Sequence, residues 1–387
     1  MSNRLICRAF GIGCLVMFAG LGAADAVKTV DCASGKKLAD ALEKADPGDV
    51  LRINGTCHER VIIRVDRITL QGAQAAVLDG GAVPGGGSFA AVVRIEGAQG
   101  VVLSGLTIRN GGSNGVTGQA GAAFSLIDSI VQDNKGTGIQ LLDGANAEVV
   151  RSTIRNNDIG MDVVNRSGVV FRGEVVVSRN RTGGIETNGG CTLEVRGESE
   201  VRGGSLHVDE NGGDGIVVSN SYLSLFGFPE SNGSAITANG NAGNGMTVGN
   251  GNVLVVGGAG GFSFSITLSQ NKGVGLALGL GSFVAPVGSL NLQALNNNVG
   301  VSLGIGSSML SIGGTLNVRG NGTGIAADGA DTLTLIASTT NASIDGNRDA
   351  DVDLRFGTRS TIIGFAIGKM LCDGTVLSRG TKVCPRP

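Results

Sequence analysis

The sequence predicts an all-β fold, a single-domain solenoid of short stacked strands. Three observations indicate it: an Asn-x-x-x-Gly-aliphatic motif returns every 22 to 31 residues, apolar and polar residues alternate around it, and glycine accounts for 68 of 387 residues. A period of 20 to 50 residues is the signature of repeat architectures. Length alone suggests two domains, but an uninterrupted repeat indicates one.

The repeat is anchored by asparagine and glycine. Asparagine tolerates left-handed backbone at a sharp turn, glycine adopts it without steric cost, and asparagines stacked on successive coils can hydrogen-bond as a ladder. The predicted ladder residues are Asn110, Asn134, Asn156, Asn180, Asn211, Asn241, Asn271, Asn296, Asn321 and Asn347. The glycines that follow are Gly115, Gly138, Gly160, Gly184, Gly215, Gly245, Gly275, Gly300 and Gly324, and Asp351 stands where a tenth would fall.

Short strands flank each asparagine. After the glycine, Ile139-Gln140-Leu141 alternates inward, outward, inward, and Leu206-His207-Val208 does the same before the next asparagine. Each repeat holds two or three such strands and leaves no room for a helix.

The chain resembles the right-handed parallel β-helix of the pectate-lyase-like superfamily. The stretches "ADPGDVLRINGTCHERVIIRVDRITLQG" and "VVLSGLTIRNGG" carry the resemblance most clearly. It implies the handedness. The ten ladder asparagines plus the earlier coils indicate a stack of about 12 coils. A leucine-rich repeat has a similar period, but its Leu-x-x-Leu-x-Leu-x-x-Asn frame does not fit.

The two ends differ in composition from the repeats. Residues 1–26 have the basic start, apolar run and small-x-small site of a secretory signal peptide. Residues 27–58 are expected to form an N-terminal cap and first coil, 59–368 the repeats, and 369–387 a C-terminal cap. A short helix is expected in the N-terminal cap, with Ser34 as its N-cap.

Export to the periplasm or the extracellular space follows from the signal peptide and makes disulfides plausible. Cys32 and Cys57 bracket the N-terminal segment, and Cys372 and Cys384 bracket the C-terminal one. We expect each pair to form a disulfide and Cys191 to remain a buried thiol.

The net charge and the hydropathy of the chain indicate which classes of binding partner are disfavoured. Loss of Arg4, Arg8 and Asp25 with the signal peptide changes the formal net charge from −2 to −3. A mildly acidic chain without basic tracts argues against nucleic acid or an anionic membrane. The uncharged run at 273–290 contains five glycines and a proline and keeps the repeat's register, so we interpret it as coil rather than a membrane span.

Catalytic signatures of the superfamily are missing. The chain lacks the polygalacturonase, pectin methylesterase and alginate epimerase motifs, and the Arg-x-Pro-x-x-Arg of pectate lyases. Alignment on the glycine does place Asp162 and Glu186 on neighbouring coils of one outward column. Stacked carboxylates repel, which raises one pKa and can create a general acid beside a general base; the alternative is two solvated acids balanced by arginines.

Arginines dominate a second column, just before the asparagine: Arg109, Asp133, Arg155, Arg179 and Glu210. Two interpretations are open for it. The column is either an exposed ion-pair ladder or a cationic strip, in which Arg155 and Arg179, with Asp133, bind an acidic sugar polymer.

The histidine and cysteine pattern of the sequence does not predict a metal or cofactor site. His58 and His207 are scattered, His207 points outward level with Thr237, and no cysteine pair has zinc spacing, so no metal and no cofactor are expected. From Ser231 to Val318 the only charged residue is Lys272, and such a face suits glycan hydrogen bonding or self-association.

The sequence therefore favours an exported β-helix that engages a polysaccharide or a surface partner without a recognised catalytic signature. One alternative is an enzyme that modifies an acidic glycan, as a lyase, epimerase or hydrolase. The other is a structural or self-assembling surface protein. Fold analogy alone does not choose among them.

Overall fold

The computed structural model describes residues 27–81, 91–197, 203–226, 233–249, 253–257, 263–286, 289–312, 315–336, 343–381 and 383–384. The predicted signal peptide at residues 1–26 lies outside this part of the chain. The described residues form three long parallel sheets, and successive strands pass from sheet A to sheet B to sheet C and back to sheet A. Hydrogen-bonded neighbours are thus one full coil apart, and the predicted single-domain parallel β-helix is confirmed.

Sheet A has 15 strands and contains the first strand and the last. Its strands are Val27–Asp31, Val50–Asn54, Thr69–Gly72, Val101–Ser104, Ala123–Ile127, Asn146–Val150, Gly168–Arg172, Thr192–Arg196, Tyr222–Phe226, Val253–Gly257, Phe283–Pro286, Ser308–Ile312, Thr332–Ile336, Arg359–Ile363 and Leu377–Gly380.

Sheet B has 13 strands. They are Thr56–Cys57, Val77–Asp79, Thr107–Arg109, Ile130–Gln132, Thr153–Arg155, Glu174–Ser178, Ser205–Asp209, Ala235–Thr237, Ser263–Ser269, Ser289–Leu295, Thr315–Arg319, Ser343–Asp345 and Ala366–Ile367.

Sheet C also has 13 strands. They are Val61–Ile63, Val93–Glu96, Val116–Gln119, Ile139–Leu141, Ile159–Val164, Gly183–Asn188, Ile216–Ser219, Met246–Gly249, Val274–Leu278, Val299–Leu303, Thr323–Asp328, Ala350–Arg355 and Met370–Cys372.

The core is the inside of the stack. Alternate residues of each strand point inward, so Leu141, Val163 and Ile185 on successive coils of sheet C are fully buried. Because every coil repeats this pattern, one continuous hydrophobic cluster runs from Val30 to Ile367.

The structure contains an asparagine ladder, but at three coils the ladder position lies one residue away from the predicted one. The observed ladder is Asn134, Asn157, Asn180, Asn211, Asn241, Asn271, Asn297, Asn321 and Asn347. From Asn157 onward, Oδ1 of each member accepts from the backbone N–H and the side-chain amide of the preceding member. The first acceptor receives the N–H of Gly111, and Asp351 ends the ladder by accepting from Asn347.

The predicted members Asn110, Asn156 and Asn296 are wrong by one residue. They belong to the turn column directly before the ladder, where φ is 57°, 56° and 57°. Two neighbouring columns both favour asparagine, one because its backbone is left-handed and one because it needs a buried amide. In a pair such as Asn156-Asn157 the sequence alone therefore does not show which asparagine belongs to the ladder.

The ends of the stack carry the disulfides. Cys32 is bonded to Cys57, Cys372 is bonded to Cys384, and Cys191 is a buried thiol. The strands Met370–Cys372 and Leu377–Gly380 continue sheets C and A into the C-terminal segment.

The helix of the N-terminal end spans Leu38–Leu42 and buries both of these leucines. Ser34 is not its N-cap, because it lies in the 3₁₀ helix Cys32–Ser34 and donates to Asp31 O. The Glu59 carboxylate instead accepts the N–H groups of Leu38 (2.6 Å) and Ala39 (3.0 Å), so the helix N-terminus is held by the next coil.

A buried carboxylate lies at the turn before sheet A. Asp331 is fully buried, and burial raises its pKa to about 6, against the opposing effect of backbone N–H groups such as that of Ser307. The folded pKa exceeds the unfolded value of 3.8, so its stabilising contribution is complete below about pH 4 and is lost as pH rises through about 6.

Asp331→Asn is therefore expected to raise the free energy of unfolding by about 1–2 kcal/mol at neutral pH, with no gain at pH 4. Denaturant titrations followed by circular dichroism at the two pH values would measure this. Asp133→Asn, at an exposed position, is the matched control. An equal gain at both pH values would contradict the assignment to Asp331 ionisation.

Candidate functional site

The outward column of sheet C has the register that the glycine alignment predicts. Gln140 lies opposite Asp162, Asp162 opposite Glu186, and Glu186 opposite Val217. Their inward neighbours Met161 and Ile185 are fully buried, so period-two alternation turns both carboxylates outward. Asp162 and Glu186 are therefore stacked one strand spacing apart, about 4.8 Å.

Asp162 is tied to the coils on its N-terminal side. Gln140 Nε2 donates to Asp162 Oδ2 at 3.0 Å, and Asn114 Nδ2 donates to Gln140 Oε1 at 2.8 Å. Asn114 Nδ2 also lies 3.2 Å from Thr117 Oγ1, and Asn114 Oδ1 accepts the N–H of Thr137. This chain of amides fixes the position of the Asp162 carboxylate.

Asp214 holds an equivalent position on the C-terminal side. Its carboxylate accepts from the backbone N–H of Asn244 and from Thr247 Oγ1, each at 2.8 Å. Asp214 precedes the outward residue Val217 by three, the same offset that separates Asn114 from Thr117 and Asn244 from Thr247. The turn side chains thus add a second polar row to sheet C.

Glu186 lies between these two networks without joining either. Within the described part of the chain its carboxylate has no hydrogen-bond or ion-pair partner. Burial raises its pKa, and the negative charges of Asp162, Asp214 and Asp158 raise it further. A Cβ on Gly183 would lie 2.7 Å from Glu186 Oε1, so glycine leaves room for the side chain.

The arrangement can do acid–base chemistry. A carboxyl group whose pKa is raised remains protonated at higher pH and can donate a proton, while an ionised carboxylate one coil away can accept one. Of the four acids, Asp158 is balanced by Arg181, with 2.9 Å between Oδ1 and Nη2. The cluster as a whole is therefore acidic.

The predicted arginine strip is wrong in its geometry. Arg155 ends the strand Thr153–Arg155 and lies opposite Ser178, whereas Arg179 lies one residue later, in the turn column with φ of 54°. Asp133 shares that turn column with φ of 57°. The error has the same one-residue origin as that of the ladder, because the prediction counted back from Asn156 instead of Asn157.

The ion-pair interpretation fits Arg179, whereas Arg155 is bound by a neutral amide. Arg179 Nε lies 2.9 Å from Glu210 Oε2, and both side chains are 63% exposed. Arg155 Nε and Nη2 donate to Gln132 Oε1 at 3.0 and 2.9 Å. Exposed pairs of this kind contribute little to stability.

Potential metal ligands come close together at one end of the stack. Within the described ranges, the only three potential ligands that lie within reach of one metal ion are Cys32, Cys57 and Glu59. The two cysteine sulfurs are bonded to each other in a disulfide.

In the uncharged segment, part of which lies outside the described residues, Leu280 and Ile305 are 60% and 62% exposed. Self-association through 231–318 stays a prediction.

Sequence reasoning placed Asp162 and Glu186 in one outward column but did not single out Asn114, Asp158 or Asp214. These three lie in turns, where period-two alternation gives no information about direction. A column three residues before the outward one, read from the same alignment, would have found Asn114 and Asp214.

Residues 91–259 match the family model described as a right handed beta helix region. The described chain folds as a right-handed parallel β-helix, and the match covers its central part. A comparison with curated proteins finds no match. No helix in the described part of this β-helix is long and apolar enough to span a membrane.

Two solved structures are similar to this β-helix in fold. One is the crystal structure of pectate lyase Pel9A, at 14% sequence identity and a TM-score of 0.42, covering 72% of this chain and 80% of the lyase. The other is the gp42 tailspike of Acinetobacter phage vb_AbaP_AS12, at 14% identity and a TM-score of 0.39, covering 91% of this chain and 62% of the tailspike.

Proposed function

We propose that this β-helix binds a polysaccharide along the outward face of sheet C. The observation that carries the proposal is a strip of polar side chains on successive coils, in which Asp214 provides the polar group on the coil of Val217. We call it the sheet C strip. Its members are Asn114, Gln140, Asp162, Glu186, Asp214 and Thr247. From Thr117 to Thr247 the column crosses five coil steps, or roughly 24 Å at ~4.8 Å per step.

A polysaccharide suits this strip because both repeat along one direction. Amide, hydroxyl and carboxylate groups recur on successive coils, and sugar hydroxyls can donate to and accept from them. The charges favour a neutral glycan over a uronan, since Asp162, Glu186 and Asp214 have no basic partner among the described residues. An anionic polymer would be repelled from such a surface.

Export is consistent with this function. Both disulfides belong to an oxidising compartment, and the signal peptide predicted at 1–26 would deliver the chain there. We place the protein in the periplasm or outside the cell, where polysaccharides are exposed.

The test is binding to a panel of neutral oligosaccharides and uronans by isothermal titration calorimetry. Gln140→Leu is expected to weaken the binding of a neutral glycan about 3- to 10-fold, because it removes one neutral hydrogen-bonding group and frees the Asp162 carboxylate. The matched control is Gln71→Leu, which replaces an outward glutamine of sheet A that contacts Arg52.

Equal losses in Gln140→Leu and Gln71→Leu would contradict a site on sheet C. Preference for uronans over every neutral glycan would contradict the charge argument. Binding that is unchanged in Gln140→Leu would remove the strip from the proposal altogether.

A second candidate function is glycan hydrolysis at the same place. The raised pKa of Glu186 favours it, because nothing in the described structure neutralises that carboxyl group. In this function Glu186 is the general acid and Asp162 the second carboxyl group. The two residues are register partners on neighbouring strands, so two carboxyl groups share one face, and a pair of carboxyl groups is what glycoside hydrolysis commonly uses.

A further inference from the structure

His207 occupies the outward face of sheet B, away from the sheet C strip. It is the central residue of the strand Ser205–Asp209 and lies between Val176 of the preceding coil and Thr237 of the next. Its side chain is half-buried, because the inward neighbours Leu206 and Val208 hold the strand against the core.

Three side chains form a hydrogen-bonded relay at this point. His207 Nδ1 lies 3.0 Å from Thr237 Oγ1, and Thr237 Oγ1 lies 3.2 and 3.1 Å from the two carboxylate oxygens of Asp209. Asp209 Oδ1 also accepts the backbone N–H of Asn239 at 2.8 Å. The relay spans two adjacent coils and is fixed at both ends by sheet B.

The relay determines the tautomer of the imidazole. A carboxylate can only accept, so the single hydroxyl proton of Thr237 is donated to Asp209. Thr237 Oγ1 must then accept from His207, and Nδ1 must carry the proton. In the neutral ring Nε2 is left as the acceptor, and within the described residues it has no hydrogen-bond partner.

We infer that His207 is the centre of a second glycan-binding site, on sheet B, where Nε2 accepts a hydrogen bond from a ligand hydroxyl. The inference goes beyond the proposed function, since it concerns a different face and different residues. His207 acts there as a directed acceptor, and Thr237 and Asp209 are positioning residues.

The surroundings select a neutral, hydroxyl-rich ligand. The outward positions on the following coils are Thr237, Asn239, Thr267 and Ser269, all uncharged hydrogen-bonding residues. The charged outward side chains beside His207 are Asp209, on its own strand, and Glu174, diagonally placed on the preceding coil. Both are acidic, so an anionic ligand is disfavoured.

The first test concerns the tautomer and needs no ligand. The chain has only two histidines, so ¹⁵N-histidine labelling with a His58→Gln spectrum assigns His207 directly. We expect the Nδ1–H tautomer in the wild type, its loss in Thr237→Val, and its recovery in Thr237→Ser. An Nε2–H tautomer in the wild type, or a pattern unaffected by Thr237→Val, overturns the relay.

The control for the tautomer test is Thr153→Val. Thr153 lies in the same outward column two coils earlier, and valine already occupies that column at Val176. The substitution removes a hydroxyl from the same face without touching the relay, so it should leave the His207 signals unchanged.

The second test uses cellohexaose, xylohexaose and mannohexaose as neutral probes and hexagalacturonate as the anionic one. At least one neutral probe should shift the Nε2 signal of His207, and His207→Val should weaken its binding about 3- to 10-fold. The same response should persist in Gln140→Leu, which separates this site from sheet C.

Three outcomes would overturn the second site. They are no shift of Nε2 with any neutral probe, equal affinity in His207→Val and the wild type, or a response to hexagalacturonate alone. Failure of the sheet C strip with a persistent His207 response would instead contradict only the proposed function.

Discussion

Glu186→Gln is expected to lower the turnover of any glycan that the protein cleaves by about 10²- to 10⁴-fold, the typical contribution of one general acid or base. The reason is the isolation of Glu186: burial and the charges of three neighbouring acids raise its pKa, which is the direction that favours a general acid. Asp162→Asn should cause a loss in the same range. Reducing-end assays on the neutral panel would measure both.

The matched control is Asp353→Asn. Asp353 lies in the same outward column of sheet C, opposite Ala326, and is paired with Arg355 at 2.9 Å. It should leave turnover unchanged. Full turnover in both Glu186→Gln and Asp162→Asn would rule out the hydrolytic candidate and leave glycan binding alone.

The same pair makes a prediction that does not depend on turnover. Asp162→Asn should lower the pKa of Glu186, because it removes the largest of the three charge effects while leaving burial in place. Carboxyl-carbon NMR titration of the two proteins would show the Glu186 transition at lower pH in the variant. An unchanged midpoint would mean that the two carboxylates do not interact.

The second large effect is expected from breaking the asparagine ladder. Asn180→Ala removes the Oδ1 that accepts both the backbone N–H of Asn157 (3.0 Å) and its side-chain amide (3.2 Å). It also removes the donor to Asn211 Oδ1 at 3.0 Å. These groups are buried, and each unsatisfied one costs about 1–3 kcal/mol.

Asn211 Oδ1 keeps the backbone N–H of Asn180, so two donors of Asn157 lose their acceptor. The expected loss is therefore about 2–6 kcal/mol in the free energy of unfolding, a large part of the ~5–15 kcal/mol typical of folded proteins. Guanidinium titrations followed by circular dichroism would measure it. Asn156→Gly is the control, since Asn156 is exposed and glycine accepts its left-handed backbone. Similar midpoints for the two variants would show that the ladder contributes little.

The architecture could be predicted from the sequence because its cause is periodic. Inward and outward residues alternate on every coil, so Asp162 and Glu186 could be paired by counting from Gly160 and Gly184. The count was wrong by one residue where one column resembles its neighbour, as at Asn156 and Asn296, and for the same reason Arg155 and Arg179 were assigned to a single column.

The motif glycines were predicted for the wrong reason. The expected cause was left-handed backbone, but Gly184 has no positive φ. A Cβ there would lie 2.3 Å from Gly215 O and 2.4 Å from Val208 Cγ1, so glycine is needed for the close approach of two coils. A sequence shows that glycine recurs, but which atoms crowd it depends on the packing of the next coil.

The two disulfides bear on how the stack comes apart. Every interior coil has a neighbour above and below, whereas the first and last coils have one neighbour each, so fraying from the ends is the least costly route of opening. Cys32–Cys57 and Cys372–Cys384 close loops at these two ends. In an oxidising compartment the two disulfides therefore hold the end coils in place. Under reducing conditions we expect the end coils to unfold first, and proteolysis to begin there.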